Sequence, residues 1–289
     1  MRAFAYERPT SLADAFALLA DPGSDARLLA GGTDLIIRLR DGSMRPKTVV
    51  DVKGIAELDG DIREEDGHLR IGARAVMTDI LADERIRRDY EALAEGAAVV
   101  GSAQIRNRAT LAGNICNASP AADTAPALLV YDARVIVAGP GGRRRIPIDD
   151  FFVRSGVTTL AAGELVTAIE LPLPHGARGA VHVRRTRRRG HDLASVTLTC
   201  AAFADESTRI AYGSVGPRPV LVTDTTGVLA DPAAPDAAKS QRLEELLVNA
   251  SPSARSMRAS PEYRLAMLRV LGLQAVGIAI ERLAGADPR

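Results

Sequence analysis

The chain has 289 residues, enough for a large core and near the length at which one core divides, so two domains are expected. Hydrophobic residues make up 46% and charged residues 25%, the profile of a globular protein rather than a disordered one. A net charge of +1 leaves no global field to draw in nucleic acid or an anionic membrane, and with no Trp, 5 Tyr and 5 Phe an aromatic platform for bases is missing.

Residues 4–6 read as a short strand closed by Pro9. Ser11 then caps a helix over 12–19, where Leu12, Ala15, Phe16 and Leu19 recur at helical spacing. A buried strand at 28–30 runs straight into Gly31-Gly32. Residues 48–52 and 68–73 read as further strands, and 78–101 as a helical region with a charged middle. After a small-residue stretch, 127–138 reads as the end of a helix followed by a strand, and 139–142 as a turn with Arg143, Arg144 and Arg145 at a hairpin tip. A strand at 164–171 leads into Pro172-Leu173-Pro174-His175-Gly176, the best linker in the chain. Beyond it come strands at 180–185, 194–204 and 209–215, then helices at 238–249 and 261–283. That order suggests a small α+β domain with an antiparallel sheet covered on one face.

The two cysteines, Cys116 and Cys200, exclude a disulfide scaffold, a cysteine zinc site and an iron–sulfur cluster held by this chain alone. The four histidines (His68, His175, His182, His191) show no ligand spacing, and no metal site is expected. The N-terminal residues carry no signal-peptide pattern. The most apolar stretch, 270–280, is too short for a membrane core of roughly 30 Å, which points to a cytoplasmic protein without a membrane span.

Two loops carry chemistry. In Leu28-Leu29-Ala30-Gly31-Gly32-Thr33-Asp34-Leu35 a strand ends in two glycines, whose backbone N–H groups can approach an anion without Cβ interference. A plain glycine turn is the alternative, and neither a P-loop nor the GxGxxG fingerprint is present. The second loop, 109–123, is small, nearly uncharged and rich in groups needing partners: Thr110, Asn114, Asn117, Ser119 and Asp123. A polar ligand would supply them, as would a self-satisfied Ω-loop.

Taken together, AGGTDL near residue 30 and TLAGNICNASPAADT near residue 110 resemble the FAD-binding subunit of the molybdenum hydroxylases, the family of the xanthine dehydrogenase flavin subunit and the aerobic carbon monoxide dehydrogenase medium chain. The resemblance runs over nearly the whole chain, including RRGHDLASVTL at 188–198 and SPEYRLAMLRVLGLQAV near the C-terminus. It implies an α+β fold: a two-lobed FAD-binding domain of the vanillyl-alcohol-oxidase (PCMH) type over 1–175, with lobes at about 1–54 and 55–175, then a small C-terminal α+β domain over 178–287.

The resemblance also implies site residues. Ala30, Gly31, Gly32, Thr33 and Asp34 would wrap the FAD pyrophosphate from one lobe, with Leu35 on the isoalloxazine and Leu29 as a further cofactor-binding residue. Thr110, Ala112, Gly113 and Asn114 would complete the cradle from the other, Ala112 standing where the family usually has glycine. Asp123 would contact the adenosine half, Val100 would replace an aromatic against the flavin ring, and Val166 would lie near the cofactor's edge. Arg184 would stand by the pyrimidine side of the flavin; its rival reading is a basic surface run with Arg185, Arg187, Arg188 and Arg189, to which Asp192 could pair.

The function implied is electron transfer. Substrate would be oxidised at a molybdopterin in a large partner subunit, and electrons would pass through two [2Fe-2S] clusters in a small iron–sulfur partner to this FAD and on to NAD or another acceptor, within a dimer of heterotrimers. The alternatives are a self-contained FAD-dependent oxidase of the same fold and, more remotely, a nucleic-acid-binding module built on 184–189.

Overall fold

A computed structural model describes residues 2–286 apart from Arg189, His191, Arg255 and Met257. Arg189 of the basic run, His191 and the expected domain end at 287 therefore lie outside the described residues.

The first elements are β1 (Ala5–Glu7), α1 (Leu12–Ala20), β2 (Ala26–Leu29), α2 (Leu35–Asp41) and β3 (Thr48–Asp51). The strands lie in the order β1-β3-β2, and β3 is parallel to both neighbours and buried throughout, as the centre of a parallel sheet requires. Ser11 caps α1 through its side chain.

A second sheet and its helices follow. The chain runs through β4 (Ile62–Glu65), β5 (His68–Gly72), α3 (Met77–Ala82), α4 (Glu84–Asp89), α5 (Glu91–Ala98), α6 (Ala103–Arg106), α7 (Leu111–Cys116), α8 (Thr124–Val130), β6 (Arg134–Gly139), β7 (Gly142–Pro147), α9 (Ile148–Phe151), β8 (Phe152–Arg154), β9 (Val157–Thr158) and β10 (Leu165–Pro172). The five-stranded antiparallel sheet has the order β4-β5-β10-β6-β7, with the almost wholly buried β10 at its centre.

Three expectations change here. The helical region expected over 78–101 is three helices: it breaks at Asp83, whose side chain caps α4 by accepting from the N–H groups of Arg85 and Ile86, and again at Tyr90, whose backbone leaves the helical conformation. The second candidate loop contains the short helix α7, hidden in the sequence by the poor helix formers Gly113 and Asn114. Arg143, Arg144 and Arg145 are not a hairpin tip but part of the edge strand β7, where Arg144 pairs with Glu164 at 2.7 Å and Arg145 with Glu170 at 3.0 Å.

The remaining elements are β11 (Arg178–Arg185), β12 (Val196–Phe203), β13 (Thr208–Gly213), β14 (Val220–Asp224), α10 (Asp236–Leu246) and α11 (Pro261–Ala284). The strands form an antiparallel meander in chain order. β14 was not expected; the prolines at 217 and 219 mask it, and its place at the sheet edge tolerates them. By length and composition α11 could cross a membrane, unlike the shorter stretch at 270–280. In the fold, Leu268, Leu271, Ala275, Val276 and Ala279 are buried in the core that α11 forms against the sheet.

Strand alternation decides what each face of this sheet meets. Val181, Leu198, Cys200, Ile210 and Tyr212 point into the core beneath α11. Ala180, Ala201 and Ala211 belong instead to the core of the first 175 residues, against the fully buried α8. His182, Arg184, Thr197 and Thr199 share that second face by register. The edge strand β11 is closed by α5: Glu91 accepts the N–H of Ala180 at 3.0 Å and Glu95 that of His182 at 2.7 Å. Arg282 of α11 adds a 2.6 Å ion pair to Glu95. Just after the linker, the Arg178 guanidinium lies 4.7 Å from the ring centres of both Tyr90 and Tyr131.

Candidate functional site

β2 ends at Leu29, and residues 30–34 turn the chain into α2. Gly32 sits at φ +77°, a conformation that favours glycine. Gly31 is required by proximity: a Cβ there would stand 2.0 Å from the Arg108 carbonyl oxygen and 3.1 Å from the Ala109 Cα. The first loop therefore lies directly against the backbone that opens the second. Among the described residues none accepts a hydrogen bond from the backbone N–H groups of Gly32, Thr33, Asp34 or Leu35. All four residues are at least partly exposed, so the turn presents a row of free donors, the arrangement that suits an anion. Beside it, Lys53 Nζ stands 3.4 Å from the Ala30 carbonyl oxygen and 2.6 Å from the Asp51 carboxylate. Burial alone would raise the Asp51 pKa, but hydrogen bonds from Lys53 and Tyr6 hold it below the ordinary carboxylate range.

The second loop is anchored from behind: Met77 N–H donates to the Ala109 carbonyl at 2.9 Å and Leu111 N–H to that of Ala75 at 3.1 Å. Thr110 is buried and caps α7, its Oγ1 accepting from Gly113 N–H at 3.0 Å. Ala112 is a buried residue of this helix, so a methyl group is tolerated where the family has glycine. Thr124 Oγ1 donates to Asn114 Oδ1 at 2.7 Å, tying α7 to α8. Asn117 bridges the lobes: its Nδ2 donates to Asp34 Oδ1 at 3.2 Å, and its Oδ1 accepts from Arg38 at 2.7 Å. Burial pushes the Cys116 thiol up to about 12, which leaves little thiolate at neutral pH.

Asp123 and Arg184 form a mostly buried ion pair at 2.6 Å. The other Asp123 oxygen accepts from Thr197 Oγ1 at 3.0 Å and lies 3.4 Å from His182 Nε2, while His182 Nδ1 meets Thr199 Oγ1 at 3.0 Å. Arg184 also reaches the Val99 carbonyl at 3.4 Å, next to Val100. The resemblance separated Asp123 and Arg184 along the cofactor; their direct pairing brings both to one place beside Val100. Val166 is buried at a bulge in β10. Asp192 does pair with the basic run, through Arg188 at 3.6 Å.

The structure thus brings together the first loop (Leu29 to Leu35) and the second (Thr110 to Asn114), and separately joins Asp123, Arg184 and the Val99–Val100 corner. Sequence reasoning missed Lys53, Arg38, Asn117, His182 and Thr197. The first three come to the site only through tertiary contacts 23, 79 and 83 positions long, although Asn117 already stood among the loop's unpartnered polar groups. Among the described residues no cluster of three or more His, Cys, Asp or Glu could hold a metal.

Comparisons with known proteins place the whole chain in one family. The family described as the FAD binding domain in molybdopterin dehydrogenase matches residues 2–174, and the CO dehydrogenase flavoprotein C-terminal domain matches residues 182–277. The chain is 33% identical over 287 residues to a xanthine dehydrogenase FAD-binding subunit of Escherichia coli O157:H7, covering 97% of each. It is 31% identical over 278 residues to the carbon monoxide dehydrogenase medium chain of Afipia carboxidovorans, covering 94% of this chain and 95% of that one. A solved carbon monoxide dehydrogenase from Hydrogenophaga pseudoflava superposes with a TM-score of 0.86 at 28% identity, over 98% of this chain and 99% of the other.

Proposed function

This chain belongs to the molybdopterin dehydrogenase family of FAD-binding flavoproteins, and from that premise we propose that it is the electron-transferring FAD subunit of a molybdenum hydroxylase. One observation carries the reading above all: a turn of free backbone amides at Gly32–Leu35 packed directly on the opening of the second loop. Such a cradle suits a diphosphate, whose charge is met by amide dipoles.

The residues present fit FAD. The amides of Gly32, Thr33, Asp34 and Leu35 would hold the diphosphate from one lobe, and the α7 segment Thr110–Asn114 would close it from the other. The Leu35 and Val100 side chains would supply apolar contact to the ring system, and the buried Val166 would lie near the cofactor's edge. Arg184, neutralised in part by Asp123, would offer a guanidinium to the polar edge of the ring. Bound FAD takes up electrons and releases them as hydride or singly, so no acid–base residue of this chain is required.

Clusters and molybdopterin belong to partner subunits in this reading. The two cysteines, Cys116 and Cys200, are too few for a cluster that takes four thiolates. The small iron–sulfur subunit delivers electrons, the large molybdopterin subunit sets the substrate, and NAD or another acceptor removes the electrons, in a dimer of heterotrimers.

The test is flavin content. The purified chain, reconstituted with excess FAD and desalted, is expected to retain one FAD and the absorption of a bound flavin, whereas Gly32→Asp and Gly113→Asp place a carboxylate against the diphosphate and lose it. A folded wild-type chain that retains no FAD overturns the reading. Co-purification of the two partners, and NAD reduction by the assembled complex, tests the electron path.

A further inference from the structure

Asp34 and Arg38 lie one turn apart, joined along α2 by the Arg38 N–H to Asp34 carbonyl bond at 3.1 Å. Opposite charges at this spacing commonly pair with each other. Here the Asn117 amide stands between them, its nitrogen toward the carboxylate (3.2 Å) and its oxygen toward the guanidinium (2.7 Å). The two charges fix the amide's orientation, because a flip would set nitrogen against guanidinium and oxygen against carboxylate. Asp34 stands at the N-cap of α2, yet its side chain makes no capping bond and is turned to the other lobe instead. Asn117 is the C-cap residue of α7, so the clasp sits at the end of that helix.

From this arrangement we propose that Arg38 and Asn117 are positioning residues that form a clasp, drawing the two loops together over the diphosphate and setting the rate at which the cofactor leaves. The proposal rests on the FAD reading above and adds to it a pair of residues outside the cradle itself. Asp34 has its amide on the ligand side and its carboxylate in the clasp, so the same residue links closure to binding. With the clasp open, the loops keep their anchors (Met77 and Leu111 behind the second, Lys53 behind the first), and the folded apo-chain loses little.

The experiment follows flavin fluorescence as FAD is displaced from the full-length chain by excess competitor, with apo-chain melting temperature as a second readout. Asn117→Ala and Arg38→Leu are expected to release FAD about 10-fold faster, the loss of one charge-assisted hydrogen bond, while the apo melting temperature stays close to wild type. Asn117→Asp, nearly isosteric, keeps the Arg38 contact but faces Asp34 with a second carboxylate; fast release with a well-folded apo-chain is expected. The double variant Arg38→Leu/Asn117→Ala releases no faster than Asn117→Ala alone, since the two act as one unit. Wild-type release rates in the variants, or a fall in apo stability that accounts for the whole change, overturn the clasp while leaving FAD binding intact. A wild-type chain that binds no FAD overturns both.

Discussion

Asp123 and Arg184 meet at 2.6 Å across the boundary between the first 175 residues and the C-terminal sheet, with both side chains mostly buried. Removing only the cation leaves a buried carboxylate with Thr197 and His182 but no countercharge. Arg184→Leu is therefore expected to cost about 3 kcal/mol in denaturant unfolding of the apo-chain, and Asp123→Asn/Arg184→Leu to recover part of it. In the FAD-loaded chain, Asp123→Asn frees the Arg184 charge and should raise the flavin midpoint potential; an unchanged potential would place the pair away from the ring.

Gly31→Ala tests the contact between the loops. Its methyl group would stand 2.0 Å from the Arg108 carbonyl oxygen, and backbone on both sides must move to admit it. FAD affinity should drop by at least about 10-fold, with a smaller loss of apo stability. Retention of normal affinity would mean that the loops separate without consequence for the cradle.

Asp224 gives the C-terminal domain a predictable acid sensitivity. Its carboxylate is fully buried, which alone would raise its pKa, but donors from Thr226, Leu229 and Arg242 hold it below the ordinary value. The folded state thus binds this proton less readily than the unfolded one. The stabilisation is complete above the unfolded carboxylate value and is lost as pH falls through the lower folded one. Asp224→Asn should be less stable than wild type by about 3 kcal/mol at pH 7, and the gap should narrow below pH ~4. A gap independent of pH would show that the charge is not what matters.

Both thiols should be inert in the folded chain. Burial pushes Cys116 up to about 12 and Cys200 higher still, so almost no thiolate exists at pH 8. Mass spectrometry after iodoacetamide treatment is expected to show neither residue alkylated until denaturant is added; rapid labelling of Cys116 would mean that the second loop opens in solution.

The legible parts of this chain were those with local signals. Ser11 announces α1, Ser260 and Pro261 announce α11, and the Gly31-Gly32 and Thr110–Asn114 segments mark the two loops that carry the family resemblance, which in turn implies the cofactor. What escaped has a common cause. α7 is six residues long and contains Gly113, β14 hides behind two prolines, and Asp83 splits a helix that hydrophobic spacing alone would run on. The site's supporting side chains escaped for a different reason: Asn117 reaches Asp34, and His182 reaches Asp123, only after three separate sheets are assembled.

The way α5 closes β11 bears on how this protein must be made. Glu91 and Glu95 occupy the outward N–H groups of a border strand that would otherwise offer them to any extended chain nearby. A truncation beginning at the linker would bare that border together with the alanines of the sheet's inner face, and such a fragment is a template for aggregation. The N-terminal half thus covers an edge and a face of the C-terminal sheet that would otherwise be bare, and the order of synthesis makes that cover first.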